Sequence, residues 1–152
     1  MRAERILQAG LIVLWTACAW SVAHAQTQAM RVVPIEAARF LPVNPASPNG
    51  SQIAVLGGDP DTGPSTMLMR LQKGGGTPHV HSADYQLVVL QGTMKHWGKG
   101  QTEAASKPLN PGSHWFQPGG RTHSDMCLTA ECLLYIVWSG KRDGRVATES
   151  DP

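Results

Sequence analysis

The chain has 152 residues, with 13 Lys+Arg against 11 Asp+Glu for a net charge of +2, 16 glycines, 11 prolines and three cysteines. That length suits one domain with room for a real core. The near-balanced charge, with no Lys/Arg cluster, excludes a nucleic-acid face and a patch for anionic membranes.

In chain order, residues 1–25 read as a secretory signal peptide. Arg2 and Arg5 make a positive start, and "ILQAGLIVLWTACAW" is an apolar run too short for a membrane span. Ala23-His24-Ala25 then puts small residues before Gln26. The expected mature protein is residues 26–152, periplasmic or secreted, with no membrane attachment after cleavage. Cys18 leaves with the signal, and the remaining pair, Cys127 and Cys132, suits an oxidising compartment.

Beyond residue 26 no segment sustains a 3.6-residue apolar period over a helix length. Short apolar runs recur instead between Gly/Pro punctuation: "QIAVL", "TMLMRL", "YQLVVLQG", "SHWFQP" and "CLLYIVW". Their spacing predicts an all-β domain, a sandwich or barrel. The Pro-rich "RVVPIEAARFLPVNPASPNG" is expected to run extended along a sheet edge. "LGGDPDTGPS" reads as a turn-forming loop, "KGQTEAASKP" as a polar loop and "DGRVATESDP" as a solvated tail. Gly74-Gly75-Gly76 is no phosphate cradle, because Thr77-Pro78 follow where a helix should start. No serine sits in a Gly-x-Ser-x-Gly setting, so nucleophilic hydrolysis has no support.

The chemistry gathers at "TPHVHSADYQ". On a helix, His79 and His81 would point to nearly opposite sides; on a strand they share a face, with Cα atoms about 6.5–7 Å apart. Two imidazoles can then reach one ion at roughly 2.0–2.1 Å each. The spacing alone also fits two surface histidines on a loop edge. A third imidazole follows in "PGSHWFQPGGRTH", where a short strand and a tight glycine turn lead to His123.

Together these two stretches resemble the paired motifs of the cupin superfamily. In the first, His79, His81 and Gly92 match, and Tyr85 stands where a glutamate is usual. In the second, Gly112, Pro118, Gly120 and His123 match, and Cys127 stands where an asparagine is usual. The resemblance spans about residues 50–140. It implies an antiparallel jelly-roll β-barrel, a single cupin domain over residues 26–152, with one divalent transition metal (Zn, Fe, Mn or Ni) in the barrel mouth. More narrowly, "AVLGGDP", "HSADY", "PGSHWFQPGG" and the cysteine pair are similar to small exported cupins. That group is similar in turn to the cupin half of zinc-bearing anti-sigma factors that respond to oxidative stress.

The departures matter. A neutral phenol at position 85, with an ordinary pKa of about 10, is a poor ligand unless the metal deprotonates it. Three neutral imidazoles would remain with an open side, as in catalytic zinc sites. Gln86 is the fallback fourth ligand if the strand is bulged, although parity points it outward. Asp125 shares strand parity with His123 and is a candidate general base or imidazole-orienting acceptor. His96 and His114 are candidate cavity-lining residues; Trp97, Trp115, Phe116, Met67 and Met69 are expected in the core. Cys127 closes one short strand and Cys132 opens the next, so a disulfide across a four-residue turn is expected.

Three functions follow from this reading. One is a small-molecule dioxygenase, since three facial histidines leave positions for dioxygen and substrate. The second is a non-catalytic metal- or redox-linked sensor or binding module, and the third a zinc-dependent lyase or hydrolase. A small molecule is the expected partner in the catalytic readings, and a homodimer through sheet edges is compatible with the fold.

Overall fold

A computed structural model describes residues 29–152, so the expected signal segment and its cleavage before Gln26 lie outside the described residues. The fold is carried by the unit Val32–Pro152. Among the described residues it comprises β1 (Leu41–Pro42), β2 (Gln52–Gly58), β3 (Ser65–Gly75), β4 (His79–Val80) and β5 (Tyr85–Gln91). There follow β6 (Met94–Gly98), β7 (His114–Gln117), β8 (His123–Trp138) and β9 (Arg145–Val146). Every strand pairing is antiparallel.

The hub is β8, whose residues 132–138 alternate buried and half-buried positions. β3 and then β4 pair along one edge of it, while β5 and β6 pair along the other. That arrangement curls the sheet into the jelly-roll barrel. Period-2 alternation sends Met67, Leu87, Val89, Leu134 and Ile136 inward together, and none is more than 3% exposed. The Pro-rich opening reaches the sheet edge only at β1, where Leu41 and Pro42 pair with Ile53 and Gln52; upstream, Ile35–Ala37 form a 3-10 turn instead of running extended.

Two expectations are corrected. Cys127 and Cys132 do form a disulfide, with Cα atoms 5.9 Å apart, but no hairpin separates them. Both lie in the single strand β8, and the pairing with β3 jumps from Gln72↔Glu131 to Gly74↔Cys127. The disulfide therefore spans a bulge, which lets one strand serve two differently directed parts of the barrel. Residues 143–152 are not a loose tail either. Arg145 pairs with Asp151 through two guanidinium contacts, Thr122 N–H donates to the Pro152 carbonyl, and β9 pairs with β4. The last two contacts join residues distant in sequence, so local polarity gave no hint of them.

Replacing both cysteines, Cys127→Ala with Cys132→Ala, should remove about 2 kcal/mol of stability through the loop-closure contribution. The urea midpoint of purified, oxidised protein measures it. An unchanged midpoint would mean that the bulge is held by its hydrogen bonds alone.

Candidate metal centre

His79 is the direct cross-strand partner of His123, on β4 and β8. His81 follows β4 and returns to the same side. The ring centroids are 4.3 Å apart for His79–His123, 5.0 Å for His79–His81 and 5.2 Å for His81–His123. One ligand nitrogen from each residue lies within 4.8 Å of the other two.

The backbone decides which nitrogen that is. Each Nδ1 faces a carbonyl: Thr77 for His79 at 2.9 Å, Arg121 for His123 at 3.0 Å, and Asp143 for His81. A carbonyl only accepts, so each Nδ1 carries the proton and each Nε2 keeps its lone pair. Three neutral imidazoles with fixed tautomers and converging Nε2 atoms are the donor set that a divalent transition metal requires. The residues present fit the metal.

A carboxylate completes the cluster. Asp125 Oδ1 accepts from His96 Nδ1 at 2.6 Å, and Oδ2 lies 3.5 Å from His79 Nε2 and 3.8 Å from His123 Nε2. Burial alone would raise its pKa, but the His79 and His96 contacts prevail and hold it below the ordinary carboxylate range. Burial likewise pulls His79 down, yet Asp125 and the Thr77 carbonyl outweigh it, leaving His79 raised. His81 is lowered mainly by burial, and His123 by the same cause to about 4.

Tyr85 is buried, with its hydroxyl 3.1 Å from His123 Nε2 and 3.5 Å from Trp115 Nε1. Trp115 can only donate, so the tyrosine O–H is directed at His123. Burial and then the Asp125 charge raise the phenol well above its ordinary pKa. That keeps it neutral, a hydrogen-bond donor beside the ligand imidazoles.

Not every sequence candidate arrives here. Gln86 is exposed and pairs with Phe116 on the outer face, so it is no ligand. His114 is also exposed and does not line the cavity; β7 turns Trp115 and Gln117 inward instead. Phe116, expected in the core, is 57% exposed for the same reason of parity. His96 is not among the residues lining the cavity either, but it reaches the centre, bonded to Asp125 and stacked on Trp115 at 4.8 Å between centroids. It is the direct cross-strand partner of Asp125, a register that no local pattern encodes.

The cluster opens into a cavity of about 380 Å³. Its walls are largely apolar, with Met69, Leu71, Leu87, Met94, Trp115 and Leu134 among them. Gly74, Gly75, Gly76 and Arg142 also line it, and the sequence reading gave none of the four a role.

Residues 21–145 match a family model described as a domain of unknown function, DUF4437. No curated protein sequence matches the chain. Solved structures with a similar fold include KdgF from Halomonas sp. at 23% identity, covering 76% of this chain and 97% of that one, with a TM-score of 0.59. The polyketide cyclase RemF from Streptomyces resistomycificus aligns at 20% identity over 82% of this chain and 90% of its own, TM-score 0.62. An RmlC-like cupin from Ralstonia eutropha JMP134 aligns at 14% identity over 82% and 76%, TM-score 0.61.

Proposed function

The chain belongs to the DUF4437 family and folds as a cupin, and on that premise we propose that it is an exported, metal-dependent enzyme acting on a small molecule in the barrel mouth. The observation that carries this reading is the company the three imidazoles keep. A neutral phenol and an ionised carboxylate both stand beside converging Nε2 atoms at one end of an apolar cavity. A structural metal site has no need of a hydrogen-bond donor, an ionised acceptor and an adjoining cavity.

Zinc, iron, manganese or nickel held by His79, His81 and His123 would supply Lewis-acid polarisation and, for iron or manganese, one-electron chemistry toward dioxygen. The protein's own part is to orient what binds. Tyr85 donates a hydrogen bond, since burial keeps its O–H intact. Asp125 accepts one through Oδ2, because His96 holds Oδ1 and fixes the carboxylate plane. Apolar walls exclude water and strengthen both contacts. Neither group titrates near neutral pH, so the pair steadies charge developing on a bound molecule rather than shuttling protons. That supports a lyase- or cyclase-type reaction, and one solved structure of similar fold is a polyketide cyclase. The dioxygenase reading is favoured by a different observation: no carboxylate occupies the first-motif position, so the donor set stays neutral. Redox sensing by the cysteines is disfavoured, because Cys127 and Cys132 are 1% and 0% exposed and thiol exchange needs access.

The test is to incubate zinc- and iron-loaded protein with a small-molecule extract of the native host, with and without oxygen. Products are read by mass spectrometry against His123→Ala. A compound consumed in both atmospheres supports the lyase- or cyclase-type reaction, and one consumed only with oxygen supports the dioxygenase. No difference from His123→Ala under any condition would leave a binding module in place of an enzyme.

A further inference from the structure

The segment after β8 is fastened at several points. Ser139 N–H donates to the Asp84 carbonyl at 3.0 Å and Arg142 N–H to the Pro60 carbonyl at 2.8 Å. The Asp143 carboxylate accepts from Ser82 N–H at 2.8 Å and Ser82 Oγ–H at 2.6 Å. The Asp143 carbonyl is the acceptor that sets the His81 tautomer. Gly144 then packs so closely on His81 that an added Cβ would lie 3.1 Å from the ring. The loop that orients a ligand imidazole is therefore a rigid mount.

That mount carries Arg142, which lines the cavity. Its side chain is half-buried, yet among the described residues its guanidinium has no hydrogen bond and no ion pair. Asp61 and Asp143 are near enough to be felt, but neither forms an ion pair with it. A cation partly removed from water without a partner is a cost to the folded chain. Burial lowers its pKa for that reason.

We propose that Arg142 is the anchor for the substrate's anionic end, and that the substrate class is a small monocarboxylate with an apolar body. The inference rests on the cavity being a substrate site, as argued above, and adds what the substrate carries. A planar guanidinium matches a carboxylate through two parallel hydrogen bonds. The cavity, about 380 Å³ and mostly apolar, takes a compact hydrocarbon body. A dianionic phosphate is disfavoured, because Asp61 and Asp143 act on Arg142 and the ionised Asp125 lines the same cavity. The other cation on the cavity wall, Lys73, is exposed and screened by water.

The experiment measures binding of hexanoate and hexanamide, a charged and a neutral probe of the same size, by calorimetry to zinc-loaded and metal-free full chain. Wild type should prefer hexanoate at least about tenfold, and the preference should persist without metal. Arg142→Gln should abolish the preference while keeping hexanamide affinity and metal content, and Arg142→Lys should restore part of it. Overturning results are no hexanoate binding to wild type, no preference over hexanamide, or a preference that survives Arg142→Gln. If instead the metal is absent but the Arg142-dependent preference remains, the metal reading fails and the anion site stands.

Discussion

His79→Ala and His123→Ala should each lose at least about 100-fold in zinc affinity, since removing only an outer partner of a ligand typically costs about 10–100-fold. Tyr85→Phe should keep its metal, because a buried phenol held neutral is no anionic ligand. The pH dependence has a definite sign and slope. A proton on Nε2 competes with metal, so affinity falls as pH falls through each ligand's pKa. His123 sits at about 4 and His81 is lowered, so both are already deprotonated in the neutral range. His79, raised by Asp125, is the one that competes there. Affinity should therefore fall about tenfold per pH unit as pH drops through the ordinary imidazole range near 6.5, with one proton competing rather than three. In Asp125→Asn that onset should move to lower pH. Chelator competition across the range measures all of this. A slope of two or three, or histidine variants that retain wild-type metal, would place the metal elsewhere.

Strand existence was legible because glycine and proline break the chain into short apolar runs, and the alternation in "CLLYIVW" survives into β8. The parity of "SHWFQP" was not, because Trp115 and Phe116 are both large and apolar and nothing local says which one faces inward. The histidine triad was readable as spacing, whereas its working parts come from register. Asp125 meets His96 only because β6 pairs with β8, and His81 meets Asp143 only because the chain end folds back. Cys127 and Cys132 were readable as a pair but not as a bulge, since "LTAE" looks the same as a turn or as an outward loop in one strand. The Gly74–Gly76 run was readable only as what it is not. Its purpose appears once β3 lies against β8.

Gly75→Ala should be among the most damaging single changes in the chain, and Gly74→Ala should show why. Both glycines hold positive φ, 120° and 118°, so alanine at either introduces backbone strain of about 1–3 kcal/mol. At Gly74 that is the whole effect, because an added Cβ meets nothing within 4 Å. At Gly75 the Cβ would lie 2.4 Å from the Asp125 carbonyl oxygen and 3.2 Å from Met126 Cα, both backbone atoms of β8. Neither can swing aside as a side chain would, so the strands must part, adding about 1–3 kcal/mol more. The Gly76 N–H bond to that same Asp125 carbonyl, 2.7 Å long, would go with them. Since Asp125 holds His79 and His96, the displacement should reach the metal centre, and Gly75→Ala should weaken metal binding where Gly74→Ala does not. Urea midpoints and zinc content of the two variants, side by side, decide it. Equal destabilisation would mean that strain alone governs the run, and that the close approach to Asp125 has no part in shaping the site.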